Sequence, residues 1–252
     1  MVFDKRQIQS LVYAGEDIKI NKHITIKHPK VKEILDYGED RYWNLIYHLT
    51  STSYAFRVAL YDDGKDYEEV SDFEIFIKMI LNVFTKEDLS IIFEGIDYTI
   101  QDLYLNTNTN QIVLSKDGVM IDEAIYKIIV DILREMHLLK REYKKSGNAS
   151  AKKALIEIER QRIKRLEVQR KYDTDYDNSS QMLYHMSSLI NNSECKFTYE
   201  SIKHIPVYIF KDALLRINKI KEFDNIMTGI YSGTVDSSKI DFEKIHWCGK
   251  IN

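Results

Sequence analysis

Lys152, Lys153, Arg160, Arg162, Lys164 and Arg165 are the side chains whose type and spacing could do chemistry in this chain, and that chemistry is electrostatic. They belong to a longer basic run. Between Lys140 and Asp173 there are twelve Lys and Arg against five Asp and Glu, a surplus of seven, inside a chain whose net charge is −3. Ammonium and guanidinium groups repeated along a helix attract carboxylates or phosphates. Three roles fit such a run: a solvated helical connector, an arm for an acidic protein partner, or a footprint for nucleic acid. Glu142, Glu157, Glu159 and Glu167 interrupt the cations, and no nucleic-acid-reading motif accompanies them. The reading therefore puts the connector first, the acidic protein second and nucleic acid last. Trp247, an aromatic in a polar tail, is the other candidate. It either anchors the tail in the protein's own core or docks into a partner as a hot spot.

Other chemistries lack their residues. The seven histidines, His23, His28, His48, His137, His185, His204 and His246, never fall at the i,i+4 spacing of a zinc-binding helix, and there is no CxxC. Asp62-Asp63-Gly64-Lys65-Asp66 lacks the ligand ladder of a calcium loop and reads as a turn. No GxxxxGK[ST], GxGxxG or GxSxG occurs. The expectation is a non-enzymatic chain without catalytic residues, cofactor or metal. The start MVFDKRQIQS has no apolar signal region, and no run approaches the ~18 apolar residues of a membrane span. A reducing compartment and two free thiols, Cys195 and Cys248, follow as expectations.

The elements that must position these side chains are mostly helical, as 2 Pro and 9 Gly suggest. Alternating Ile18, Ile20, Ile24 and Ile26 read as a strand or as a small hairpin with Asn21-Lys22 for its turn. Pro29 sits where a helix would open, with Val31, Ile34, Leu35, Tyr42, Leu45, Ile46 and Leu49 at helical spacing and Gly38 as a break. Tyr54–Leu60 is a second helical unit. Ser71-Asp72-Phe73-Glu74 reads as a capping box for a helix through Phe84, and Thr85–Asp88 as the cap of a short helix ending at Gly95. Tyr98–Ser115 reads as a β-hairpin with the polar loop Asn106-Thr107-Asn108-Thr109-Asn110, ended by Lys116-Asp117-Gly118. Ile121–His137 is the clearest core helix. Ser146–Ser150 reads as a flexible break before an exposed helix, Ala151–Lys171, whose apolar face (Ala154, Leu155, Ile158, Ile163, Leu166, Val168) is sparse. Asp173–Asn178 reads as an acidic turn, Met182–Ile190 as a helix, and Pro206 as the start of the last long helix. The fold class expected is mainly α with a small antiparallel β element (α+β). Its parts would be an N-terminal helical domain over 1–139 with a small β-sheet or hairpin, a charged connector over 140–178, and a C-terminal helical part over 179–252 that packs back on the first.

Five stretches carry a resemblance, in order along most of the chain. They are Ile34–Tyr42 (ILDYGEDRY), Asp66–Glu74 (DYEEVSDFE), the helix Ile121–His137 with the charged connector after it, Pro206–Phe210, and the ending Tyr231–Asp236 (YSGTVD) with Lys244–Trp247 (KIHW). This order resembles tail assembly chaperone-like proteins from the tail-gene region of long-tailed, siphovirus-type phages of Gram-positive bacteria. The resemblance implies a factor that binds tape-measure protein, tail-tube protein or both before the tube polymerises. It also implies action in the cytoplasm of the infected host, absence from the mature virion, and no membrane partner; self-association is a further option. The competing readings are a structural virion component (a tail, connector or baseplate subunit) and a nucleic-acid-binding protein using 140–171.

Overall fold

The computed structural model describes residues 3–106, 111–172, 179–249 and 251. α1 (Lys5–Ala14) opens on Asp4, which exchanges capping hydrogen bonds with Gln7, and closes on Gly15 at φ +72°. β1 (Ile18–Lys19) and β2 (Thr25–Ile26) pair antiparallel, as the isoleucine alternation requires. α2 (Val31–Tyr37) begins later than the sequence suggests. Pro29 lies outside it, and the Pro29 carbonyl instead accepts the Val207 N–H at 2.9 Å. The first amides of α2 donate to the other side of the same seam, Val31 to the Ile205 carbonyl (3.1 Å) and Lys32 to the Lys203 carbonyl (2.9 Å). Donors that a helix N-terminus leaves without partners thus tie the two ends of the chain together.

α3 (Glu39–Thr50) follows the break at Gly38. A 3₁₀ turn (Ser53–Phe56) and α4 (Arg57–Asp62) form the second unit, and α5 (Asp72–Asn82) opens on Ser71. Only half of the expected capping box forms there. Ser71 Oγ accepts the Glu74 N–H at 3.1 Å, while Glu74 points into solvent. α6 (Lys86–Leu89) has the full box between Thr85 and Asp88 but stops at Leu89; Phe93–Glu94 is a strand, β3, paired with β2. Gly95, at φ +84°, lies against the His23 carbonyl, where no Cβ fits.

β4 (Leu103–Asn106) and β5 (Gln111–Lys116) form the second hairpin. Its tip, Thr107–Asn110, lies outside the described residues. Asp117-Gly118 does not end the sheet. Both residues have positive φ (52° and 77°), the two-residue hairpin geometry, and they lead into β6 (Val119–Ile121). Ile121 is therefore a strand residue, and α7 (Glu123–Met136) starts after the N-cap Asp122. α8 (Ala149–Tyr172), α9 (Gln181–Ile190), α10 (Tyr199–Ile202), α11 (Val207–Tyr231) and α12 (Phe242–Ile245) complete the chain. The expected acidic turn at 173–178 lies outside the described residues. Among the described residues the fold is mainly α with two small antiparallel three-stranded sheets.

One continuous core joins both ends. Val12, Ile24, Ile34, Leu45, Ile129 and Leu133 share it with Met182, Met186, Leu189, Ile202, Val207 and Phe210. Each side chain of this size contributes about 1.5–3 kcal/mol when fully buried. Glu39 adds a polar lock. Its carboxylate accepts Ser180 Oγ at 2.5 Å and the Met182 N–H at 3.0 Å, so one acid serves the N-termini of both α3 and α9. Glu39→Ala should lower stability by about 1–2 kcal/mol in a urea titration. Glu39→Gln should recover part of that loss, because its amide oxygen still accepts. Equal losses in the two variants would mean the oxygen is not what matters.

Candidate functional site

The cations singled out in the sequence divide into two groups along α8. The first half of the helix is bound to the body. Arg57 of α4 and Glu159 pair at 2.7 Å with both side chains about 9% exposed. Arg57 is held further by the Tyr54 carbonyl (2.7 Å), and its guanidinium lies 4.0 Å from the centre of the Tyr54 ring. Ile156 is buried and Leu155 packs on a small second core of Tyr54, Leu60, Tyr67, Ile75 and Met79. The apolar face is thus better anchored than its sparse pattern suggests, since Ile156 supplies the contact that fixes this half of α8.

Lys152, expected to be available to a partner, is instead engaged with Asp66 (2.6 Å) and Glu68 (3.0 Å). Those acids belong to the Asp66–Glu69 cluster, which as a bare pattern reads as a solvated face. Glu68 also accepts the Ser146 N–H (2.7 Å) and hydroxyl (2.8 Å), tying down the break before α8. Ser146's amide, then its hydroxyl, then Lys152 hold the Glu68 carboxyl down at about 2; the Lys152 hydrogen bond leads the effects that lower Asp66. Arg160 pairs with Asp62, and Arg162 with Glu159 at 2.6 Å.

Lys153, Lys164 and Arg165 are exposed and make no ion pair with any described residue. Ile163, Leu166 and Val168 are exposed as well, between 37% and 52%. Arg162 lines a cleft of about 910 Å³, and Leu166 follows it one helical turn on. Trp43, Tyr47 and Tyr54 line that cleft, together with Lys140, Lys144, Glu159 and Arg162.

Trp247 is far from this group in the chain and does not enter the core. The residue is 43% exposed and its ring stacks on His246, while its carbonyl accepts Arg216 Nη1 at 2.5 Å. Arg216 also donates to the Gly249 carbonyl at 2.7 Å, so the tail runs back along α11 on a main-chain clamp. The structure places Trp247 within this tail and leaves part of the residue open to solvent.

The tail lies in the part of the chain that has a known likeness. Residues 185–252 match the family described as the YomV second domain. That family carries a phage-derived name, so the match associates the C-terminal part of the chain with phage proteins. No curated protein and no solved structure matches the chain. Among the described residues no three His, Cys, Asp or Glu gather where they could hold a metal, and no helix is long and apolar enough to cross a membrane. Cys195 is half-buried and Cys248 exposed, both as free thiols.

Sequence reasoning missed Glu159 and Ile156 as the residues that dock α8. Glu159 was visible only as an acid among bases. Its partner Arg57 lies a hundred residues upstream in another helix, and no local spacing connects the two.

Proposed function

We propose that this chain is a non-enzymatic phage tail morphogenesis factor, an assembly chaperone that holds tape-measure protein, tail-tube protein or both before the tube polymerises. The observation that carries the reading is the phage-family likeness of residues 185–252, which falls where the ending Tyr231–Asp236 and Lys244–Trp247 resembles tail assembly chaperones. The shape supports it. Half of α8 is bolted to the body, and the other half presents exposed cations and apolar side chains, a surface suited to reversible binding. Such a factor acts in the cytoplasm of the infected host and needs neither a cofactor nor an active site.

The test is affinity purification of the tagged chain from infected cells, with mass spectrometry of purified virions. Tape-measure or tube protein should co-purify, and the chain should be missing from the particles. Stoichiometric presence in virions would make it a structural component, and recovery of neither tail protein would end the chaperone reading.

A further inference from the structure

We propose that the cleft beside α8 is a docking groove for an acidic amphipathic helix of a partner protein, with Arg162 in its wall and Arg165 and Leu166 extending that side of α8 by one turn. The inference rests on the partner-binding role argued above and names the chemistry of the partner. The cleft combines two features. Its lining is aromatic, with Tyr54 buried, Trp43 half-buried and Tyr47 exposed. Its cations outnumber its acids: Arg57, Lys140, Arg141, Lys144 and Arg162 stand against Glu142 and Glu159. Lys140 and Lys144 make no ion pair with any described residue.

Size favours a helix as occupant. A cleft of about 910 Å³ accommodates about two turns of a helix some 10 Å across. Ile163 and Leu166 follow Glu159 and Arg162 by one turn each and are exposed, so a docked helix has a further turn of apolar contact to lie along.

Charge decides the partner's sign. From Arg160 to Val168, α8 carries four cations and one carboxylate. A second copy of this chain docking through the same face would bring those cations together, which costs free energy. A helix with Leu or Phe on one face and Asp or Glu on its flanks meets both the aromatic lining and the unpaired cations. Nucleic acid meets only the cations.

The probe is a fluorescein-labelled synthetic helix of about five turns, Leu on one face and Glu elsewhere, titrated with the full chain at 0.15 M NaCl and followed by anisotropy. Saturable binding is expected. The double variant Arg165→Glu with Leu166→Ser should weaken it about tenfold; both side chains are exposed, so the fold is unaffected. Lys153→Glu, half a revolution of α8 away from Arg162, should change it less than threefold. The idea is overturned by any of four results: no saturable binding, equal binding to the double variant, equal binding of a Lys-for-Glu peptide, or displacement of the peptide by DNA at the same salt. If the double variant loses the peptide but still co-purifies tail proteins, the groove stands and the chaperone binds them elsewhere. If the peptide binds and no tail protein is ever recovered, the groove stands and the chaperone reading falls.

Discussion

Glu159→Ala is expected to cost about 3–5 kcal/mol, more than any other single truncation of a charged side chain on the surface of α8. The loss arises at Arg57. With Glu159 in place the guanidinium has a carboxylate at 2.7 Å, the Tyr54 carbonyl at 2.7 Å and the Tyr54 ring beneath it, and it is 8% exposed. Without the carboxylate, a full charge remains buried with only carbonyls and a ring to offset its lost hydration. Arg57→Met combined with Glu159→Leu should restore stability to within about 1 kcal/mol of the parent, because the desolvation of both ions goes with the pair. Urea midpoints measure the size of the effect, and limited trypsin digestion shows where it acts. In Glu159→Ala, cleavage at Arg160 and Arg162 should accelerate, since that part of α8 loses its buried ion pair and keeps only Leu155, Ile156 and the part-exposed pairs of Lys152 and Arg160 to hold it down. The double variant should keep the cleavage slow. A loss below about 1 kcal/mol for Glu159→Ala would show that water reaches Arg57.

The same pair shows where sequence reading stops. Periodicity located the long helices of the core, but not α1, whose Ile8 and Val12 are buried in it. The stripe of α7 was plain from Ile125, Ile129, Ile132, Leu133 and Met136, and the Gly38 break and the Pro206 start of α11 are where their residue types place them. Three further things were not legible, each for a definite reason. β3 is two residues long and exists because β2 offers it an edge, so no alternation could announce it. β6 follows a turn that reads as a terminator until the positive φ of Asp117 and Gly118 shows it to be a hairpin turn. The docking of α8 depends on charges paired at long range, Lys152 with Asp66 and Glu68, and Glu159 with Arg57. A run of cations shows its surplus in sequence. It does not show which members are already neutralised by the fold, and only the remainder, with Lys153, Lys164 and Arg165 among them, is free for a partner.

Acid should destabilise the protein well before its carboxylates titrate, and His137 is the reason. Its ring is fully enclosed. Nδ1–H donates to the Leu133 carbonyl at 2.7 Å, which leaves Nε2 to accept the Tyr42 hydroxyl at 2.6 Å. The neutral ring satisfies both nitrogens. Burial, opposed in part by the Leu133 hydrogen bond and aided by the ammonium of Lys211 beside the His137 carbonyl, pushes the ring down to about 3. In the unfolded chain the same ring binds a proton below about 6.5. The unfolded state therefore holds more protons between those two values, and stability falls as pH drops through that window, by up to ~1.4 kcal/mol per pH unit for one group. His28 acts in the same direction, since it is buried, neither ring nitrogen is hydrogen-bonded to a described residue, and desolvation lowers it. Glu68 and Asp88, held at about 2, work lower down; their contributions persist above the ordinary carboxylate range and are lost only as pH falls toward 2. Between pH 7.5 and 5 His137 alone should remove about 2 kcal/mol. His137→Gln should be less stable at pH 7.5 yet show a slope flatter by about that amount, read from urea midpoints at each pH. The His137 ring protons in an NMR titration should stay at their neutral shift down to pH 5. Identical slopes in parent and variant, or a ring that titrates near 6.5 in the folded state, would place the acid sensitivity elsewhere.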